Sequence, residues 1–121
     1  MRRLQHLVLV GIGGAVGASV RWAAAESIDF ESFPWETLAA NVVGCALLAA
    51  VTELAVSVTT TSVVAIGFCG GLTTFSTFAV EVVALQDDDR PAVAIVYVIA
   101  SVVSGIAAFL GVRTMLARWA A

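Results

Sequence analysis

The chain has 121 residues, 60% of them hydrophobic, and a mean hydropathy of +1.01. Soluble domains hold about 45–50% apolar residues, so that class is excluded. Six arginines, no lysine and nine acidic residues give a net charge of −3, which excludes the basic face of a nucleic-acid-binding protein.

Four apolar runs each reach the length of about 20 residues that crosses a bilayer. They cover residues 4–25, 35–56, 63–85 and 91–110, with short connections between them. The expected fold class is therefore an all-α membrane protein, one transmembrane domain over residues 1–121 with four transmembrane helices. Arg2 and Arg3 before the first run resemble a signal-peptide start. That run is too long and too rich in glycine for one, and it carries Arg21 at its far end.

Span one contains Gly11, Gly13, Gly14 and Gly17. Gly13 and Gly17 form a G-x-x-x-G pair, which predicts close approach of a second helix backbone. Arg21 either snorkels to the interface or concentrates anions at the head of a pore. His6, the single histidine, falls near an interface. Span two opens at Pro34, suited to a first helical turn, and buries Asn41, with Gly44 a turn later as a packing position. A carboxamide in hydrocarbon must be paired. Asn41 therefore makes an inter-helix hydrogen bond worth about 1 kcal/mol, or it offers its donors to a passing anion; spacing does not separate the two.

Span three holds Gly67-Phe68-Cys69-Gly70-Gly71-Leu72-Thr73-Thr74-Phe75-Ser76-Thr77-Phe78. Adjacent glycines weaken a helix, so a break is expected in the segment from Gly70 to Thr73. Hydrocarbon tolerates such a break only where it is packed in protein or lines a polar path. Thr73, Thr74, Ser76 and Thr77 supply hydroxyls. Phe75 and Phe78 share a helix face, and their ring edges carry partial positive charge. Hydroxyls and ring edges together replace the hydration of a small anion without a fixed cation to trap it. Weak, multi-site binding of that kind is what conduction requires. Span four carries Tyr97, and Ser101 one turn on, as a polar stripe, then Ser104 and Gly105. Cys45 and Cys69 both fall inside spans and are expected to be small packing residues. Two cysteines with no paired histidine predict neither disulfide nor metal site. No nucleophile–base pair, carboxylate dyad, phosphate loop or zinc pattern is present, so an enzyme is the poorest candidate class.

An even number of spans puts both termini and the 57–62 turn on one side. Arg2, Arg3, Arg113 and Arg118 lie there against Glu53 alone, a balance of +3. Arg21 and Arg90 lie opposite with Glu26, Asp29, Glu31, Glu36, Glu81, Asp87, Asp88 and Asp89, a balance of −6. Four arginines against two favour cytoplasmic termini. Acidic loops without lysine suit a protein that stays hydrated at high salt.

Three signatures, in order and spacing, carry a resemblance. They are Gly13-Gly14-Ala15-Val16-Gly17-Ala18-Ser19-Val20-Arg21-Trp22, Thr37-Leu38-Ala39-Ala40-Asn41-Val42-Val43-Gly44 and the span-three segment quoted above. On them the chain resembles, over nearly its whole length, the small four-span fluoride channels of the Fluc or CrcB family. The resemblance implies a fluoride-selective channel that exports the anion passively from the cytoplasm and reduces its toxicity. It implies an antiparallel dimer in the cell membrane with two separate pores. By it Phe75 and Phe78 line those pores, Asn41 is the pore asparagine, and Tyr97 and Ser101 are pore-lining polar residues. By it also Arg21 stands near a pore entrance, and a structural sodium ion at the dimer centre is held by backbone carbonyls of Gly70 and Thr73. Homodimers of the family insert in both orientations and carry almost no charge bias. The bias here therefore leaves two assemblies open, a dual-topology homodimer and a heterodimer with a homologous chain of opposite bias. A small multidrug transporter of similar length is the nearest rival. It needs a carboxylate within the membrane; span one has none before Glu26, Glu81 lies toward the end of span three, and Asn41 with the phenylalanine pair favours an anion. The second rival is a non-conducting assembly subunit, which has no use for a broken helix.

Overall fold

A computed structural model describes residues 1–28, 32–54 and 56–121. Asp29 and Glu31 of the acidic count, and position 55 of the second span, lie outside the described residues. The described residues are mostly helical, with no strand among them. Helix α1 is Arg2–Ser27 and α2 is Trp35–Glu53. The turn Val58–Thr61, the π-helical Ser62–Cys69 and the turn Gly70–Leu72 run on as one rod, here α3 (residues 58–72). Helix α4 is Phe75–Asp87 and α5 is Pro91–Ala120. Four spans are long and apolar enough to cross a membrane: α1, α2, Val58–Asp87 as a whole, and α5. The chain is thus an all-α membrane protein with four spanning helices.

Helices α1 and α5 outrun their apolar runs, whereas α2 stops at Glu53, short of the run that ends at 56. Helix α5 extends ten residues beyond the run that ends at 110, to Ala120, and long arginine stems let such ends stay solvated. The local signals are visible at each start. Pro91 occupies the first turn of α5, where its missing N–H costs nothing. Ser57 caps α3 by accepting from the Thr60 N–H at 3.2 Å. Pro34 stands one position before α2, as its N-cap, rather than inside the first turn.

The acidic run after α4 has a backbone purpose. Asp89 adopts φ 55°, the left-handed conformation that ends many helices. The Arg90 N–H reaches the Leu85 carbonyl at 2.9 Å and the Asp89 N–H reaches that of Gln86 at 3.1 Å. That pair of bonds is a Schellman cap, with aspartate where glycine is usual. Arg90 also donates to the Ser32 carbonyl, tying this turn to the start of α2. On the opposite side Arg113 pairs with Glu53 at 3.4 Å, and His6 Nε2 meets the Thr59 hydroxyl at 2.9 Å.

Helix α1 packs along α3, and α5 packs against both α2 and α4. The α1–α3 seam is backbone on backbone. A methyl group built on Gly13 would sit 2.6 Å from the Val63 carbonyl oxygen, and one on Gly67 would sit 2.7 Å from that of Val10. Gly17 presses on the Phe68 carbonyl, and Gly71 on that of Gly14. Small residues permit this approach, and in lipid such packing drives helix association.

The break expected over Gly70–Thr73 falls at the far end of that segment, not at the glycines. Gly70 is helical, with φ −62° and ψ −36°. The chain leaves the helix instead at Thr73 (φ −82°, ψ 152°) and Thr74 (φ −151°, ψ 126°). Gly71 stays helical because its missing side chain is what lets α1 close upon it. The threonines, which compete for backbone bonds through their hydroxyls, take the extended conformation.

Among the described residues Tyr97 is the one large side chain fully buried, within a small core of Leu85 and Ala94 flanked by Phe33, Leu38, Phe78, Val82 and Val93. Only 11–17% of each span is buried within the chain. The remaining apolar surface needs lipid or another protein against it.

Candidate functional site at the interrupted third span

Breaking a helix inside a membrane frees peptide groups that have no water to turn to. Side chains and the local backbone meet several of these freed groups. The Cys69 carbonyl accepts twice from Thr73, from its N–H at 2.9 Å and its hydroxyl at 2.8 Å. The Thr74 hydroxyl oxygen caps α4 by accepting from the Thr77 N–H at 3.1 Å, and it lies 3.2 Å from the Thr77 hydroxyl and 3.3 Å from that of Ser76. The Thr74 peptide is held by one side chain. Its N–H donates to Asn41 Oδ1 at 2.8 Å, while Asn41 Nδ2 donates to its carbonyl at 3.2 Å. Arg21 Nε donates to the Gly71 carbonyl at 3.2 Å. A guanidinium there also complements the negative end of the α3 dipole.

Asn41 therefore makes the inter-helix bond that was one of its two expected roles, and its second amide hydrogen stays free of it. Arg21 reaches down to the break rather than only outward to the interface. Among the described residues, no protein donor reaches the carbonyls of Gly70 and Thr73. A methyl group built on Gly70 would meet nothing within 4 Å.

Beside the break runs an open groove of about 410 Å³. Asn41, Gly44 and Cys45 of α2 line it, with Cys69, Gly70, Thr73, Thr74, Phe75 and Phe78 of the third span and Ser101 of α5. The lining is mostly apolar, with donors at few points. The Ser101 hydroxyl is buried and has no partner among the described residues. Phe75 and Phe78 are tilted at 44° with ring centroids 5.7 Å apart. Phe75 is 80% exposed, so one wall of the groove ends on the open surface of the chain. Gly44 carries no side chain because the Thr73 methyl group occupies that space.

Ser76, Thr77, Tyr97 and Arg21 do not line this groove. Tyr97 stands behind it. Its ring lies 5.1 Å from Phe78 and 5.3 Å, edge-on, from Phe33. Its hydroxyl donates to Glu81 Oε2 at 2.6 Å, and the other oxygen, Glu81 Oε1, accepts from the Thr37 hydroxyl at 2.7 Å. Thr37 is buried. Glu81 also lines a second pocket of about 200 Å³ with Glu36, Asp88 and Arg90, toward the acidic side. Glu81 thus stands between the acidic pocket and the aromatic wall, coupled to Phe78 through Tyr97.

The sequence places Glu81 toward the end of span three and counts it with the loop-side charges, and it shows Thr37 only as the head of a signature. The available signal was spacing: Glu81 follows Phe78 by three positions and Thr37 precedes Asn41 by four, so each shares a helix face with a singled-out residue. Cys45 and Cys69 carried no such signal as members of one groove, being separated along the chain by most of two helices.

The family model of CrcB-like protein, Camphor Resistance (CrcB), matches residues 8–112. The chain is 45% identical over 109 residues to "Fluoride-specific ion channel FluC 2" of Rhodococcus jostii (strain RHA1), covering 88% of this chain and 96% of that relative. It is 40% identical over 111 residues to "Fluoride-specific ion channel FluC" of Chlorobium phaeobacteroides (strain BS1), covering 86% and 87%. It is 46% identical over 87 residues to "Fluoride-specific ion channel FluC 1" of Halobacterium salinarum (strain ATCC 700922 / JCM 11081 / NRC-1), covering 72% and 73%. With the helix order, the interrupted third span and these matches together, the chain belongs to the CrcB family.

Proposed function

We propose that this chain is the subunit of a fluoride-selective channel that lets the anion leave the cell passively and so lowers its toxicity. The observation that carries the reading is the groove at the Thr73–Thr74 break in a chain whose relatives are named fluoride-specific channels. A small anion in that groove finds neutral donors and ring edges: the free amide hydrogen of Asn41, the Ser101 hydroxyl, and Phe75 and Phe78. The hydroxyls of Thr74, Ser76 and Thr77 extend the donor set around the break. Tyr97, anchored by Glu81, fixes the tilt of Phe78. Arg21 adds positive potential near one end. Without a fixed cation in the groove, the anion is held at several weak points and released.

The working assembly is an antiparallel dimer in the cell membrane. The open wall at Phe75, the unobstructed surface at Gly70 and the low burial of every span support a second chain there. The carbonyls of Gly70 and Thr73 suit a structural sodium ion at that contact. A hard cation takes oxygen ligands, helix-end carbonyls carry partial negative charge, and no protein donor competes for these two. Bound there, sodium would supply positive potential beside the ion path and a link between subunits. Four arginines on the terminal side against two opposite favour termini in the cytoplasm. An antiparallel partner is then either the same chain inserted the other way or a homologue of opposite bias.

The test is ion efflux from liposomes holding the purified chain, with fluoride and chloride measured in parallel. Fluoride is expected to leave while chloride is retained. Equal release of both, or release of neither, would contradict the proposal.

A further inference from the structure

The two cysteines were expected to be inert packing residues, yet the fold brings them to one place. Gly44 of α2 rests on the Thr73 methyl group, and Thr73 bonds twice to the Cys69 carbonyl one turn earlier. Cys45 follows Gly44 directly. Both residues line the same groove, from different helices. Neither thiol is in a disulfide, Cys69 is buried, and Cys45 is half-buried, its sulfur 3.5 Å from where a methyl group on Gly105 would lie.

We propose that Cys45 and Cys69 form a two-thiolate site for a soft, linear-coordinating metal ion, with divalent mercury as its best-matched occupant. Thiolate is the ligand that soft metals select. Each thiol must lose its proton to bind. Two S–H protons pass to water, the two metal–chloride bonds of mercuric chloride break and both chlorides leave to water, two S–metal bonds form, and the charges of the divalent ion and two thiolates cancel. No electron is transferred. A neutral product suits a groove whose lining carries no charged side chain, because an uncompensated charge there would be costly. Hard cations find no matching carboxylate cluster: among the described residues no group of three His, Cys, Asp or Glu is positioned to hold a metal.

The bound metal would lie among Asn41, Phe78 and Ser101. It would therefore obstruct the groove, a consequence that rests on the proposed ion path; the binding itself does not. The experiment adds mercuric chloride to the purified full chain and reads three quantities. These are the free thiols left after unfolding, the sulfur-to-mercury charge-transfer absorption, and fluoride efflux from liposomes. The expected result is one metal per chain with both thiols consumed at one equivalent, and efflux stopped, then restored by excess dithiol. Cys45→Ser and Cys69→Ser should each weaken retention against a competing monothiol by roughly a hundredfold, the loss of an intramolecular second ligand. The Cys→Ala pair serves if a serine variant is recovered unfolded. Two metals per parent chain, with each single variant keeping one at unchanged affinity, would show independent thiols and overturn the site. Shared binding with undiminished efflux would support the site and count against the groove as the ion path.

Discussion

The two halves of the third span are built by opposite means. The inner half, α3, meets α1 through Gly13, Gly17, Gly67 and Gly71, with backbone against backbone and no room for a methyl group. The outer half, from Thr73 through α4, is joined to its neighbours by side chains: Asn41 to Thr74, Thr37 and Tyr97 to Glu81, Phe78 to Tyr97. Close backbone packing against α1 leaves no room for side chains at that seam and fixes the rod. Side-chain packing leaves a groove and a pocket, with donors at chosen points. Rigidity and chemistry are thus divided along one membrane span, and the two threonines mark the division.

The sharpest way to break that contrast is to fill the seam. Gly71→Val forces a branched side chain onto the Gly14 carbonyl. Overpacking costs about 1–3 kcal/mol where neighbours can yield, and a helix backbone yields least. The expected outcome is loss of folded protein, read by size-exclusion elution and thermal unfolding in detergent. Gly70→Ala, one residue away, meets nothing within the chain. It should leave the subunit folded, and any loss should appear only in dimer formation.

Next come substitutions on the outer half. Phe75→Ile and Phe78→Ile keep the bulk and remove the polarised ring edge. Losing about 1 kcal/mol of stabilisation for the crossing anion slows efflux about fivefold. Unfolding midpoints should shift little for Phe75, which is largely exposed, and more for Phe78, which packs on Tyr97. Efflux equal to the parent in both variants would reduce the pair to packing.

Glu81→Gln retains one acceptor oxygen and turns the other into a donor. A loss of about 1 kcal/mol in stability is expected, since hydrogen bonds to charged groups exceed neutral ones by about that amount. A slowed efflux alongside it would show that Glu81 acts on Phe78 through Tyr97. The smallest effect is expected at the α4–α5 turn. Asp89→Gly relieves a left-handed aspartate and should stabilise by about 0.5 kcal/mol, raising the unfolding midpoint slightly and leaving efflux unchanged.

Spans and family were legible because they rest on composition and on residues in fixed order. Three apolar runs became single helices and the third became two, and the three signatures identified the family that the comparisons show. The break was legible to within a turn, over Gly70–Thr73, but not at its residue. Gly70-Gly71 is a helix breaker by local preference, but α1 closing on Gly71 overrides that preference, and only tertiary packing contains the information. The roles of Asn41 were legible as a pair of alternatives, since a buried carboxamide must be satisfied. That it holds both groups of one threonine peptide depends on where the helix ends. The π-helical stretch Ser62–Cys69 leaves no composition signal, and Glu81 was hidden because its partners come from two other helices.

Fluoride efflux from liposomes holding Asn41→Asp beside the parent, with elution in detergent confirming that both are folded, tests the central claim most directly. A carboxylate at position 41 still accepts from the Thr74 N–H but offers no donor and repels an anion. The account predicts rapid fluoride release by the parent and release at the protein-free background rate by the folded variant. Parent-like release from folded Asn41→Asp would contradict it and place the ion path elsewhere.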